Sequence, residues 1–197
     1  MSKAKKKPKF PKKVISYLEK AGVPHNLIEH KTVYTAYDAA MTMGKKVEEI
    51  AKSLVVKADR DYYMVLLPAN RNLDLDKVKK NISKLKQKDV KVVKIPGEKI
   101  MQSALELKNE TVSAFGQFHK LPTIIDKSLA KAKKAIFSSG GVNHSVEMKV
   151  KDFLNLEDAK EGSFSVVKKI KPTSAKATAG KKAKKVAKKK ATKKGKK

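Results

Sequence analysis

Two short apolar runs joined by a polar turn constrain this chain more than any other stretch. Leu54-Val55-Val56 and Met64-Val65-Leu66-Leu67 flank the polar Asp59-Arg60-Asp61. β-Branched and aliphatic runs bounded by turn residues make buried strands. A tight polar connection with Asp as turn former predicts a hairpin between them. Lys52 falls at the mouth of the first strand, just after the short helical pattern Val47 to Ala51. An unpaired ammonium is costly to bury, so Lys52 is expected to face solvent or a ligand.

The rest of the chain supplies layers for that hairpin. Helical spacing of Val14, Ile15, Leu18 and Ala21 predicts a helix over Phe10–Ala21, stopped by Gly22. An extended segment His25–His30 follows Pro24. Thr35–Thr42 reads as a second helix, with Thr35 and Asp38 as a capping pair and Gly44 as its end. Leu75, Val78, Ile82 and Leu85 make one apolar stripe on a helix over Leu73–Lys86. Asn70-Arg71 reads as a turn, Val90–Ile95 as a strand and Pro96–Leu107 as a helix. Thr123–Asp126 and Ala135–Ser138 are short strands, and Ser145–Val150 alternates like a half-exposed one. Lys151–Leu156 is a short helix, and Phe164–Ile170 a last strand. Strands and helices mix without strict alternation. The expected fold class is therefore α/β of the α+β type, a mixed, largely antiparallel sheet flanked by helices.

Charge divides the chain more sharply than hydropathy does. The 197 residues carry a net charge of +29 and are 40% hydrophobic, enough for one core. Residues 1–13 hold seven lysines and residues 171–197 thirteen, with no acid in either, which leaves +9 on residues 14–170. Three parts follow: a basic arm over 1–13, a folded domain over 14–170 and a Lys/Ala-rich tail over 171–197. Such flanks are expected to stay disordered and to attract polyanions in a salt-sensitive way. There is no cysteine, hence no disulfide, thiolate metal site or cysteine nucleophile. His25, His30 and His119 have no acidic partner at ligand spacing, so no metal is expected. No phosphate-binding glycine motif occurs, and no apolar run approaches the roughly 18 residues a membrane span needs. The basic N-terminus lacks an apolar core of the kind secretory signals carry. A cytoplasmic protein without cofactor, monomeric by default, is expected.

Three motifs carry a resemblance to a known family. Ile50-Ala51-Lys52-Ser53-Leu54-Val55-Val56 resembles the lysine-bearing strand of the YbaK-like family of aminoacyl-tRNA deacylases, related to the editing domain of bacterial prolyl-tRNA synthetases. Val112–Gln117 running into Leu121-Pro122-Thr123-Ile124-Ile125-Asp126 resembles its glycine-rich loop and following strand. Ile136–Gly141, Val146–Met148 and Asp152–Leu154 resemble its ending. The resemblance spans about Val14 to Leu156 and implies a six- or seven-stranded, barrel-like mixed sheet.

It also implies a site. Lys52 matches the family's pocket lysine, which positions the tRNA 3′ end or the ester carbonyl; an ammonium suits either task. Gly140 and Gly141 make either a plain tight turn or a pocket wall whose amides face the substrate carbonyl. Lys52, Gly140 and Gly141 are thus the catalytic candidates. Ser53, Ser113, Gly116, Ser139, Asn143 and His144 are the substrate-binding candidates, although Ser53 also reads as an ordinary strand residue and His144 as a surface one. Asp126 is expected at least to cap the helix at Lys127–Ala132. The family commonly places Gly-Gly-x-Ser-Pro before the glycine that Gly116 matches; here stand Glu110-Thr111-Val112-Ser113-Ala114, which implies a narrowed or reshaped acyl pocket.

The leading expectation is a free-standing aminoacyl-tRNA deacylase. Water would attack the ester, assisted by the substrate's own ribose hydroxyl, because the sequence offers no activated nucleophile. tRNA is the expected partner, with an aminoacyl-tRNA synthetase as a further one. Two alternatives stand beside it: a catalytically inactive tRNA- or synthetase-binding module of the same fold, and a general nucleic-acid-binding protein driven by its tails.

Overall fold

The computed structural model describes residues 11–97, 99–101 and 112–168. The basic arm up to Phe10, residue 98, residues 102–111 (the second half of the helix expected over Pro96–Leu107 and Glu110-Thr111 among them) and everything from residue 169 on lie outside the described residues; 99–101 are helical, whereas Pro96 and Gly97 are not.

The predicted hairpin is the centre of the molecule. Strands β2 (Ala51–Ala58) and β3 (Asp61–Pro68) pair antiparallel from Ala51↔Pro68 to Ala58↔Asp61. The turn is left with two residues, and Asp59 takes φ 53°, the left-handed region that Asp tolerates better than most. β3 is buried on both faces. Met64 and Leu66 point into a cluster with Leu18, Phe115, Ile125, Phe137 and Phe153, while Tyr63, Val65 and Leu67 point into a second cluster with Val78, Ile82 and Phe164. Period-two alternation thus feeds two cores from one strand. In the first core Phe137 and Phe153 stack at 4.2 Å between ring centroids.

Around the hairpin the sheet order is β5-β2-β3-β6-β9, with β5 (Val93–Lys94), β6 (Thr123–Asp126) and β9 (Lys160–Gly162). β2, β3 and β5 run antiparallel, whereas β3, β6 and β9 run parallel. A second, antiparallel sheet orders β1 (His25–Glu29), β8 (His144–Lys149) and β7 (Lys134–Ser138), and β4 (Arg71–Leu73) pairs with β10 (Ser165–Val167). The mixed, largely antiparallel architecture is as expected, but the ladders do not close into a barrel; the described residues form ten strands in three sheets.

The helices are α1 (Lys12–Lys20), α2 (Ala36–Met43), α3 (Leu75–Lys86), α4 (Lys127–Ala130) and α5 (Val150–Glu157), and Val47–Glu49 form a 3-10 turn. Thr35 caps α2 by accepting from the Asp38 amide at 3.1 Å, and Gly44 ends it at φ 62°. The apolar stripe of α3 buries Val78 and Ile82.

Several expectations need correction. Arg71 is a strand residue rather than a turn, and its guanidinium Nε donates to Ser165 Oγ at 2.7 Å. The strand expected over Val90–Ile95 shrinks to two residues, because the Lys91 and Val92 amides donate to the Asp59 carboxylate instead of a ladder. β8 is more buried than its alternation suggests, since it lies between β1 and β7 and shields Ser145 as well as Val146 and Met148.

Candidate functional site

Strand β2 starts one residue before Lys52, so the lysine projects from the ladder itself. Beside it opens a cavity of about 410 Å³. Its walls come from the segment leading into α2 (Val33–Ala36), the start of β2 (Ile50–Leu54), β7 (Ile136–Ser138), Gly141 and Val112. Ser145 of β8 and Lys168, beyond β10, complete it. No aspartate or glutamate is among the described residues that line it. Lys52 is half-buried there, and its ammonium is held below the ordinary lysine range, by burial first and by the Lys168 charge second. The Ser53 hydroxyl is buried with no hydrogen-bond partner among the described residues. A buried orphan hydroxyl in a cavity wall is a group that a ligand can satisfy. A larger, 480 Å³ groove along β1 and the end of α2 holds none of the predicted site residues.

Three of the nine predicted site residues therefore line one cavity: Lys52, Ser53 and Gly141. The other six sit outside its lining. Gly140 has φ 81°, and a Cβ on it would lie 3.3 Å from that of Ser113, so it needs its glycine for backbone shape and close packing. Its amide donates to Ser138 Oγ at 3.2 Å, and that of Gly141 to Ser139 Oγ at 3.3 Å. Ser139 in turn donates to the His144 carbonyl at 2.6 Å. His144 Nδ1 and Asn143 Oδ1 pair at 2.8 Å, both side chains being buried. These residues fix the loop behind the cavity wall.

Ser113 and His119 make a second internal pair, Oγ to Nε2 at 2.7 Å, and burial pushes the His119 imidazole below its ordinary value. Gly116 is a packing residue, since a Cβ there would fall 2.1 Å from Thr123 Oγ1 and 2.7 Å from the Leu121 carbonyl. Next to it lies the fully buried Glu157, which accepts from the Gln117 amide at 2.8 Å, Thr123 Oγ1 at 3.2 Å and Tyr17 Oη at 3.1 Å. Burial outweighs those bonds and pushes its carboxyl up.

The structure adds residues that pattern reading missed. His30 and Ser145 both line the cavity, and His30 Nε2 meets Ser145 Oγ at 2.9 Å. His30 Nδ1 faces the Lys31 carbonyl at 2.8 Å. A nitrogen facing a carbonyl must donate, so in the neutral ring Nε2 accepts the Ser145 proton. The β1–β8 ladder sets Ile28 opposite Ser145 and so joins residues 115 positions apart. Tyr34 and Tyr37, at the cavity, are 69% and 55% exposed. Tyrosines so exposed beside a cavity were a signal in retrospect, whereas the pairing of His30 with Ser145 left none in the sequence.

No group of three His, Cys, Asp or Glu side chains among the described residues could hold a metal ion. No helix among them is long and apolar enough to cross a membrane.

A mixed-sheet α/β domain with a lysine at the mouth of its central hairpin and a cavity beside it is the class that fold and site define. The chain belongs to the aminoacyl-tRNA editing domain family, whose sequence model matches residues 30–156. The YbaK-like resemblance of its three motifs is thereby borne out. Solved structures share the fold at low identity. A proposed trans-editing enzyme for prolyl tRNA synthetase is 22% identical, with a TM-score of 0.67 over 79% of this chain and 96% of that one. A hypothetical protein is 20% identical, with a TM-score of 0.66 over 78% of this chain and 99% of that one. A scaffold used for computational epitope grafting is 21% identical, with a TM-score of 0.65 over 79% and 96%. No curated protein matches the chain.

Proposed function

We propose that this protein is a trans-acting aminoacyl-tRNA deacylase, which hydrolyses the ester between a wrong amino acid and the terminal ribose of tRNA. The observation that carries it is the cavity in which Lys52, Ser53 and Gly141 meet, within a chain of the editing-domain family. Lys52 supplies a partly desolvated positive charge where an ester carbonyl or a 3′-terminal phosphate has to be held. The unpaired Ser53 hydroxyl offers a hydrogen bond to the same ligand. The Gly140 and Gly141 amides already have serine hydroxyls as acceptors. Their contribution is accordingly the shape of the wall, with carbonyl polarisation falling to Lys52.

Attack is by water, assisted by the substrate's ribose hydroxyl. His30, the histidine of the lining, can accept a proton once Ser145 turns away. The working unit is residues 14–170, with the lysine flanks raising tRNA affinity without reading sequence. The setting is the cytoplasm, and a synthetase is a further partner. The likeness to a proposed trans-editing enzyme for prolyl tRNA synthetase supports mischarged tRNA(Pro) as the first substrate to screen.

The test is hydrolysis of mischarged tRNAs by wild type and Lys52→Ala. The substitution is expected to abolish deacylation while changing stability by no more than about 0.5 kcal/mol, since the side chain is outside both cores. Full activity in the variant overturns the site. Tight tRNA binding by wild type without hydrolysis of any substrate favours the inactive binding module.

A further inference from the structure

The family match ends at residue 156, but the cavity does not. Lys168 follows β10, outside the matched residues, and lines the same cavity as Lys52. Burial first and the Lys168 charge second hold the Lys52 ammonium below its ordinary value. Two like charges facing one space, with no acid among the described residues that line it, are mutually unfavourable unless an anion enters between them. The orphan Ser53 hydroxyl in the same wall also lacks a partner.

The two ends of the described fold converge on this place. The tail with thirteen lysines in residues 171–197 follows almost directly on Lys168. The arm with seven lysines in residues 1–13 leaves the fold at Pro11, whose Cδ lies 3.9 Å from where a Cβ on Gly141 would stand. Gly141 is itself a cavity residue. Both lysine-rich flanks therefore start at the rim of one cavity.

We propose that Lys168 is a second phosphate-holding residue of the cavity, and that a ribose-phosphate strand is held there between Lys52 and Lys168. This rests on the reading of the cavity as the seat of an RNA 3′ end, but not on hydrolysis. Lys168 acts as a positioning residue: it holds the strand's phosphate and leaves Lys52 to the terminal ribose. In consequence the protein prefers RNA with an unpaired 3′ end to the same duplex with a blunt end.

The experiment uses the full chain and two uncharged-end hairpin RNAs, neither aminoacylated, one ending in an unpaired CCA and one blunt. Dissociation constants are measured by fluorescence anisotropy over a range of salt for wild type, Lys168→Gln, Lys168→Arg and Lys80→Gln. Lys80 is an exposed lysine of α3 outside the cavity. Lys168→Gln is expected to lower the salt slope for the CCA hairpin by about 0.7 log units per log unit of salt, the share of one single-strand phosphate. It should leave the blunt hairpin unaffected, and Lys168→Arg should restore the slope.

A pH profile adds a readout that a merely structural role does not move. The titratable groups of the lining are His30, Tyr34, Tyr37, Lys52 and Lys168. The alkaline loss of CCA-hairpin binding should shift to higher pH in Lys168→Gln, because Lys52 is relieved of its like-charged neighbour. Equal effects on the two hairpins, or equality of Lys168→Gln with Lys80→Gln, overturn the proposal, as does a wild type that does not distinguish the hairpins. Selective binding without deacylation of any tRNA upholds it while removing the deacylase reading.

Discussion

At the scale of single residues the proposed chemistry rests on Lys52, and Ser145 is the group to test beside it. A lysine held below its ordinary value in a cavity with no acid among its described lining residues is costly to the fold and useful to an anionic or carbonyl ligand. Ser145 stands against His30 at 2.9 Å in the same lining, with the ring oriented by the Lys31 carbonyl. That arrangement resembles an activated nucleophile, which the sequence alone did not offer. Water attack predicts that Ser145→Ala keeps deacylation within about tenfold of wild type, the lower end of what a positioned proton carrier contributes being about a hundredfold. A serine nucleophile predicts instead a loss on the order of a millionfold in kcat. Single-turnover rates of the purified variant decide between them.

Strands and turns hold these residues in place. Asp126 ends β6, caps α4 through the Ser128 amide at 2.9 Å, and takes the Phe164 and Ser165 amides at 2.9 and 2.8 Å. It thereby anchors the start of β10, the segment that delivers Lys168 to the cavity. Burial is the largest single influence and pushes its carboxyl up, but the hydrogen bonds from Ser128, Phe164 and Ser165 together outweigh it and bring the pKa below the ordinary 3.8. A carboxylate with a depressed folded pKa stabilises above its unfolded value and loses that contribution as pH falls through the folded one. Asp126→Asn is therefore expected to lose about 1–3 kcal/mol at neutral pH, the usual cost of an unsatisfied buried partner. The gap to wild type should narrow as pH falls below 3.8. Urea denaturation at pH 7 and pH 3 measures both; a gap that is the same at the two pH values would rule out the charge as its source.

Charge organises the whole molecule. Residues 14–170 carry +9, and the flanks on either side carry the rest of the +29. Removing residues 171–197, so that the chain ends at Ile170, is expected to flatten the salt dependence of tRNA binding and raise KM at moderate salt. The deletion leaves Lys168 in place, and kcat at saturating tRNA is expected to hold, as for a segment that contributes only uniform binding. Deacylation titrations at two salt concentrations test this; a fall in kcat at constant KM would put the tail inside the active site.

Sequence by itself determined the hairpin, the caps of α2 and α4, the apolar stripe of α3, the helix-stopping glycines and the family. Each is local: apolar period, capping chemistry and turn residues act within a few positions. It also picked out Lys52, through its place at the mouth of a strand together with its match to the pocket lysine of the family it resembles. Only the tertiary structure decided what surrounds that lysine. His30 meets Ser145 through a ladder between β1 and β8, Lys168 arrives from beyond β10, and Gly116 and Glu157 turn out to be buried structure. Those juxtapositions join residues that no local pattern links. They arise when three sheets and the helices pack around a strand, β3, that is buried on both faces, since packing, unlike periodicity, depends on every element at once.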